Sequence, residues 1–302
     1  VDKMLHDPQH KGPAKIEENT FLAPDEKDIL RKLGHEIAQI AALPIQKEKA
    51  QLWTRLNDLK SVRPMVYINE IPWHEMNVDD ELTLLCRNQW ARDLEDKLRK
   101  TIYQWKQMHG DMVVSDYIEC PLSITITGMG ITEDVDISIT DEQSDIYSRH
   151  FNIQISEPAD IEKIKMPKVT HNEQATRYSF DLMNEIFKDI IPVKKVGQTH
   201  IWFTPWDFMI RWWGVEEAMM DLVMRPEMVH DAYERMVAAW MTELDQFESQ
   251  NLLSLDCNNT RVGSGGYGYV SELPGSDFDP EYVKPKNMWG CSNAQIFSSV
   301  SP

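Results

Sequence analysis

Residues 198–259 read QTHIWFTPWDFMIRWWGVEEAMMDLVMRPEMVHDAYERMVAAWMTELDQFESQNLLSLDCNN, and their reading decides the fold. Pro226 sits where a first helical turn tolerates a missing N–H, and Glu227 follows near the positive end of the helix dipole. Val229, Ala232, Met236, Trp240, Leu244 and Phe247 then recur every three or four residues and share one face. Gln250-Asn251 ends the helix, and Leu252-Leu253-Ser254-Leu255 is short and apolar enough for a buried strand. An apolar strand precedes the helix at His200–Phe203, so the segment reads as a βαβ crossover and implies a parallel sheet. Polar residues just past such strand ends are where α/β proteins place ligands, here Thr204 to Asp207 and Asp256 to Asn259.

Working outward, the chain starts with a polar stretch, Val1–Asn19. A helix from Pro24 then carries Ile29, Leu33, Ile37 and Ile40, and a second one after Pro44 carries Leu52, Leu56 and Leu59. Residues 1–60 thus form a helical extension before the main domain, 61–302. Arg63–Ile68 reads as its first strand, and a charged helix runs from Asp79 to Met108, its charges forming a solvated face. Met112–Val114 is the second strand. Alternating apolar residues in 122–140 suggest an inserted β-hairpin around Gly128-Met129-Gly130. Ala175–Lys188 is helical, and Trp289–Val300 resembles the approach to another helix. This gives about four core strands, where a closed (β/α)8 barrel has eight.

Composition narrows the function. The net charge of −18 disfavours nucleic acid and polyanions as partners. No apolar run is long enough to span a membrane. Cys86, Cys120, Cys257 and Cys291 lie far apart and suggest a reducing, cytoplasmic setting. Asn69, Glu70, His74 and Glu75 follow the first strand as substrate or metal ligands, or as a plain polar loop. Asp116 ends the second strand and either orients a substrate or caps a turn. His200, Trp206 and Asp207 cluster after the third strand, and Asp256 and Asn258 after the fourth. The tryptophans of this region are either core or a wall for a flat ligand. The glycine-rich loop GSGGYG lacks the phosphate-binding pattern and reads as a flexible active-site loop.

Several motifs carry a resemblance: Thr204-Pro205 through Trp213-Gly214, Arg225-Pro226-Glu227 with Val229-His230, Val114-Ser115-Asp116-Tyr117-Ile118, and SEPADIEKIKMP at 156–167. In this order they resemble the uroporphyrinogen decarboxylase superfamily, from about residue 60 onward. The resemblance implies a (β/α)8 TIM barrel of which about the first half is present, the chain being a C-terminally truncated fragment that is inactive alone. The family's arginine-rich first-strand loop is replaced by Asn69-Glu70-Ile71-Pro72-Trp73-His74. This moves the expectation to the corrinoid-linked, zinc-dependent methyltransferase branch. The expected activity is methyl transfer between a corrinoid and a thiol-type acceptor, with Asp116, Glu70 and His74 catalytic and Asn69, His200, Trp206, Asp207, Asp256 and Asn258 binding substrate. The zinc ligands, a His-x-Cys and a later Cys, are expected beyond residue 302, so no metal ligand is assigned. A corrinoid protein or a small methyl acceptor is the expected partner, with room for a homodimer. The alternatives are decarboxylation of a tetrapyrrole or smaller acid, and a non-catalytic corrinoid-binding role.

Overall fold

The computed structural model describes residues 22–132, 134–138, 148–263 and 265–292. Helix α1 (Pro24–Ala41) and helix α2 (Pro44–Asn57) each begin with a proline in the first turn, where no backbone donor is lost. The apolar face of α1, with Leu30, Leu33, Ile37 and Ile40, is buried. In α2 the buried apolar residue is Trp53, while Leu56 and Leu59 face solvent. Helix α3 (Gln89–Met108) starts ten residues later than its charge pattern suggests. Asn88 sets that start by accepting the amides of Trp90 and Ala91. Residues 79–88 instead form turns and extended chain.

The charge run on α3 is only partly a solvated face. Glu95 is fully buried, accepting the amides of Leu85 and Cys86 and a 2.8 Å bond from Arg99 Nε. Glu26 on α1 plays the same part from the other side, accepting the amides of Arg87 and Asn88. Two buried carboxylates thus hold the loop before α3, each satisfied by backbone donors.

Strand β1 (Ile118–Pro121) follows, with β2 (Ile124–Ile126), β3 (Val135–Ser138), β4 (Ser148–Phe151) and β5 (Val169–His171). Helix α4 (Glu173–Phe187) leads into β6 (Val193–Val196) and β7 (Ile201–Phe203). Helices α5 (Pro205–Trp213), α6 (Val215–Met224) and α7 (Pro226–Ser249) come next, then β8 (Gly290–Ser292).

The run from Val193 to Phe203 is the centre of the parallel pairing. β6 pairs with β1, Ile118 lying opposite Val193. Gln198 pairs in parallel with Leu253 across the α5–α7 crossover, its amide donating to Leu252 O at 2.7 Å. β7 pairs in parallel with β8, Trp202 opposite Cys291. The fold is therefore mixed α/β with parallel crossovers, and no barrel closes among the described residues. The expected fourth strand, 252–255, is reduced to that single bridge, although Leu252 and Leu253 are buried as a core strand would be. Gly197 permits the approach: a Cβ there would lie 2.0 Å from Leu252 O.

Other expectations are corrected. Residues 63–68 have no regular secondary structure and form no strand ladder. The Asp111 carboxylate takes the Val66 amide at 2.7 Å, and the Asp111 amide donates to Val66 O at 2.8 Å. Residues 112–114 also make no ladder, and the strand begins at Ile118, so Asp116 leads into it instead of ending it. Among the described residues, the two alternating runs of 122–138 do not pair with one another. β2 pairs antiparallel with β5, and β3 with β4. Residues 290–292 are strand where a helix approach was expected. Residues 1–21, 139–140 and 293–302, on which other expectations fall, lie outside the described residues.

Two main cores result. One joins α1, α3, α4 and β1 around Leu30, Leu98, Ile186 and Phe187. The other joins α5, α6 and α7 around Met209, Trp213, Ala232 and Met236. Trp213 is fully buried, and its indole N–H donates to Asp221 Oδ2 at 2.8 Å.

Candidate functional site

Three stretches distant in sequence converge on the loop that follows Asp256. Arg261 and Tyr267 form an antiparallel bridge that closes the glycine-rich turn. Helix α2 holds this loop in place. Asn57 Nδ2 donates to the carbonyls of Tyr267 and Tyr269 at 2.7 and 2.8 Å. Trp53 packs edge-on against Tyr267, with ring centroids 5.6 Å apart. Gly266 sits so close that a Cβ would come within 2.3 Å of the Trp53 ring. From the other side Asn259 Nδ2 reaches Val113 O at 3.2 Å.

The rings of Tyr67 and Tyr267 meet edge-on at 5.0 Å, and Tyr267 and Tyr269 at 6.4 Å. Arg261 points its guanidinium at the Glu70 carboxylate, Nη1 to Oε1 being 3.9 Å. Arg261 Nε is buried and makes no hydrogen bond among the described residues. Burial raises the Tyr67 phenol; Arg261 opposes that rise and Glu70 adds to it. Burial also raises Tyr269, with Tyr117 and Asp116 adding to the effect. Lys194 Nζ lies 3.9 Å from the centre of the Tyr117 ring. A cavity of about 150 Å³ opens behind Tyr267, with Ser115, Tyr117, Asn259 and Lys97 also in its wall; Arg261, Tyr67 and Tyr269 do not line it.

This arrangement offers hydrogen-bond donors and a cation, and it does not by itself supply a nucleophile. Arg261 is a fixed planar cation with unused donor capacity, and the phenols are neutral donors near pH 7. Together they suit one acidic group of a small molecule. No protein-family model, curated protein or solved structure matches the chain. The chemistry is therefore read from the side chains alone.

The site residues expected from sequence separate into groups. Glu70 and Asp116 join the tyrosine cluster, both exposed at its edge. Asn69 donates to Glu70 and so steadies it. His74 lies 3.4 Å from its neighbour Glu75 in a short helical turn, Trp73–Glu75. Trp206 and Asp207 open α5, and the Trp206 ring packs at 5.4 Å on Tyr233 of α7. Asn258 is engaged in its own turn, accepting the Thr260 amide and hydroxyl at 2.7 Å each.

Asp256 is fully buried. Its Oδ1 accepts the Trp289 amide at 3.0 Å, tying the end of the crossover to β8, while Oδ2 makes no hydrogen bond among the described residues. Burial pushes its carboxyl upward against the opposing amides of Trp289 and His200. His200 has φ of +44°, a left-handed conformation that costs a non-glycine residue energy.

Among the described residues no three His, Cys, Asp or Glu side chains could hold a metal ion, so the expected zinc has no fitting site among them. Burial raises Cys86 to about 12, and it also raises Cys120, Cys257 and Cys291. A raised thiol is a poor nucleophile at neutral pH.

Arg261, Tyr67, Tyr117 and Tyr269 are the residues sequence reasoning misses. The signal was there: RVGSGGYGY places one arginine and two tyrosines around a glycine turn. Glycine loops of this kind carry function when a rigid element fixes them, as α2 does here.

Proposed function

We propose that the chain forms the substrate-holding part of an enzyme of the uroporphyrinogen decarboxylase superfamily, built on a (β/α)8 plan, whose substrate is a small molecule with one acidic group. The observation that carries the acidic group is Arg261, set among Tyr67, Tyr267 and Glu70 with its Nε making no hydrogen bond among the described residues; the superfamily and the barrel plan rest on the sequence motifs at 114–118, 156–167, 204–214 and 225–230. One guanidinium beside Glu70 and Asp116, on a chain of net charge −18, suits a single acid group and opposes a polycarboxylated ring.

The reaction we assign is methyl transfer between a corrinoid and a thiol-type acceptor, with the acceptor's acidic end on Arg261. Tyr67 and Tyr269 wall the acceptor, and Asp116 orients its polar atoms. Zinc would lower the acceptor thiol's pKa where present, but the described residues do not fit it and no step is assigned through it. A second reading is decarboxylation of a small carboxylic acid. Arg261 favours it, because it brings a guanidinium to the loop at Glu70, where the family's arginines are missing.

Incubation with a methyl-corrinoid and a mercapto-acid, followed by corrin absorbance and mass analysis of the thiol, tests the first reading. Methylated thiol that disappears in Arg261→Met supports it. Release of CO₂ from a small acid without thiol methylation would replace it with the second. Corrinoid binding with neither product would leave a non-catalytic role.

A further inference from the structure

A second cavity, of about 110 Å³, lies between α7 and the run from Gln198 to Trp202. None of the Arg261 cluster lines it. Its walls are aromatic: Trp202 from β7, Trp240 and Phe247 from α7, and the His200 ring. Trp240, Glu243, Leu244 and Phe247 recur at helical spacing, so one face of a long helix presents all four. The cage is braced. Trp240 stacks on Phe203 with centroids 4.5 Å apart and planes at 20°. His200 lies 5.3 Å from Trp202 at 37°.

One charged group enters this wall. Glu243 is half-buried in it and has no hydrogen-bond or ion-pair partner among the described residues. Burial pushes its carboxyl upward, and nothing offsets the rise. Aromatic rings offer a carboxylate no hydrogen-bond donor, and their faces are themselves negative. A cation seated between the carboxylate and the ring faces is attracted by both.

We propose that this cavity binds the alkylated ammonium head of a small molecule, with Trp202, Trp240 and Phe247 as the cage and Glu243 as the counter-charge. A bare metal ion fits less well, since the wall offers it one carboxylate and one imidazole, and among the described residues no three His, Cys, Asp or Glu side chains come together to hold a metal ion. A methylated ammonium sheds its water more readily than a primary one and presents apolar methyl groups to the rings. The net charge of −18 attracts cations towards the molecule at long range.

Isothermal titration with choline as the probe tests the proposal, alongside choline's uncharged tert-butyl analogue and the Glu243→Gln variant. Glu243→Gln keeps the side-chain shape, and circular dichroism checks that it folds. Trp202→Leu removes one wall without touching the carboxylate. The expected result is choline binding that is at least about tenfold weaker in Glu243→Gln and for the neutral analogue, and weaker again in Trp202→Leu. Equal affinity for the neutral analogue, undiminished binding in Glu243→Gln, or no choline binding to the unaltered chain would each overturn it. None of these outcomes depends on what binds at Arg261.

Discussion

The Arg261 guanidinium stands 3.9 Å from the Glu70 carboxylate, joining a glycine-rich loop to a polar turn from the far end of the chain. The pair is loose, longer than a charge-assisted hydrogen bond, and Glu70 is highly exposed. Arg261 therefore keeps donors to spare, and in the proposed binding mode a ligand acid displaces Glu70 from its side.

The charges of this pair are legible in Tyr67. Arg261→Met removes the influence that lowers the phenol's pKa, and Glu70→Gln removes one that raises it. Tyrosine NMR titration is expected to move Tyr67 upward in the first variant and downward in the second. Equal shifts in both would mean that neither charge reaches the ring.

Asp111 anchors the stretch at 63–66. It is buried, pairs bidentately with Arg63, and takes the Val66 amide. Asp111→Asn is expected to cost about 2–3 kcal/mol in urea unfolding, less than a fully buried pair because Arg63 is half in solvent. The Asp111 pKa is lowered on folding, chiefly by Arg63. Its stabilisation is therefore present above the ordinary value of 3.8 and is lost as pH falls through the lower folded value. The acid limb of the stability–pH curve should flatten in Asp111→Asn.

Glu95 is a sharper test of the α1–α3 core. Burial alone would raise its pKa, but the Cys86 and Leu85 amides and Arg99 outweigh that and lower it. Glu95→Ala leaves the buried Cys86 amide, and the part-buried Leu85 amide and Arg99, without this partner. A loss of about 3–4 kcal/mol is expected, with amide exchange accelerating first at Leu85 and Cys86. A loss below about 1 kcal/mol would show that the loop before α3 is held by other contacts.

Gly197→Ala tests the parallel crossover. An added Cβ would meet Leu252 O at 2.0 Å, so the strand run and Leu252 must part. The expected effect is a destabilisation of about 2–4 kcal/mol in thermal or urea unfolding, with faster exchange at the Gln198 and Ser254 amides. An unchanged melting temperature would mean that the Gln198–Leu253 pairing contributes little.

The long helices were legible because their apolar positions repeat over many turns. The α7 face from Val229 to Phe247 and the proline starts of α1, α2 and α7 needed no tertiary information. The start of α3 was not legible, because the charges before Gln89 suit a helix equally well and the Asn88 cap decides between them. Strand pairing was less legible still. β2 and β3 alternate as a hairpin would, yet their partners, β5 and β4, lie farther along the chain, and no local pattern encodes that choice. Among site residues, Glu70 and Asp116 were visible as acids beside apolar runs. Arg261 and two tyrosines have a local signal in RVGSGGYGY, but that their loop meets Tyr67 and Glu70 depends on the tertiary packing of Asn57 and Trp53 against it. Glu243 has no distinguishing signal in the sequence, and only the cavity at Trp202 gives it its surroundings.

The central claim is that Arg261 holds the acidic end of a small ligand, and a calorimetric comparison tests it most directly. A mercapto-carboxylic acid and its primary amide would be titrated into the unaltered chain and into Arg261→Met. The account predicts that the acid binds the unaltered chain, and that affinity falls at least about tenfold for the amide and for the variant. Equal affinity of acid and amide, or an acid that binds Arg261→Met as well as the unaltered chain, would contradict it.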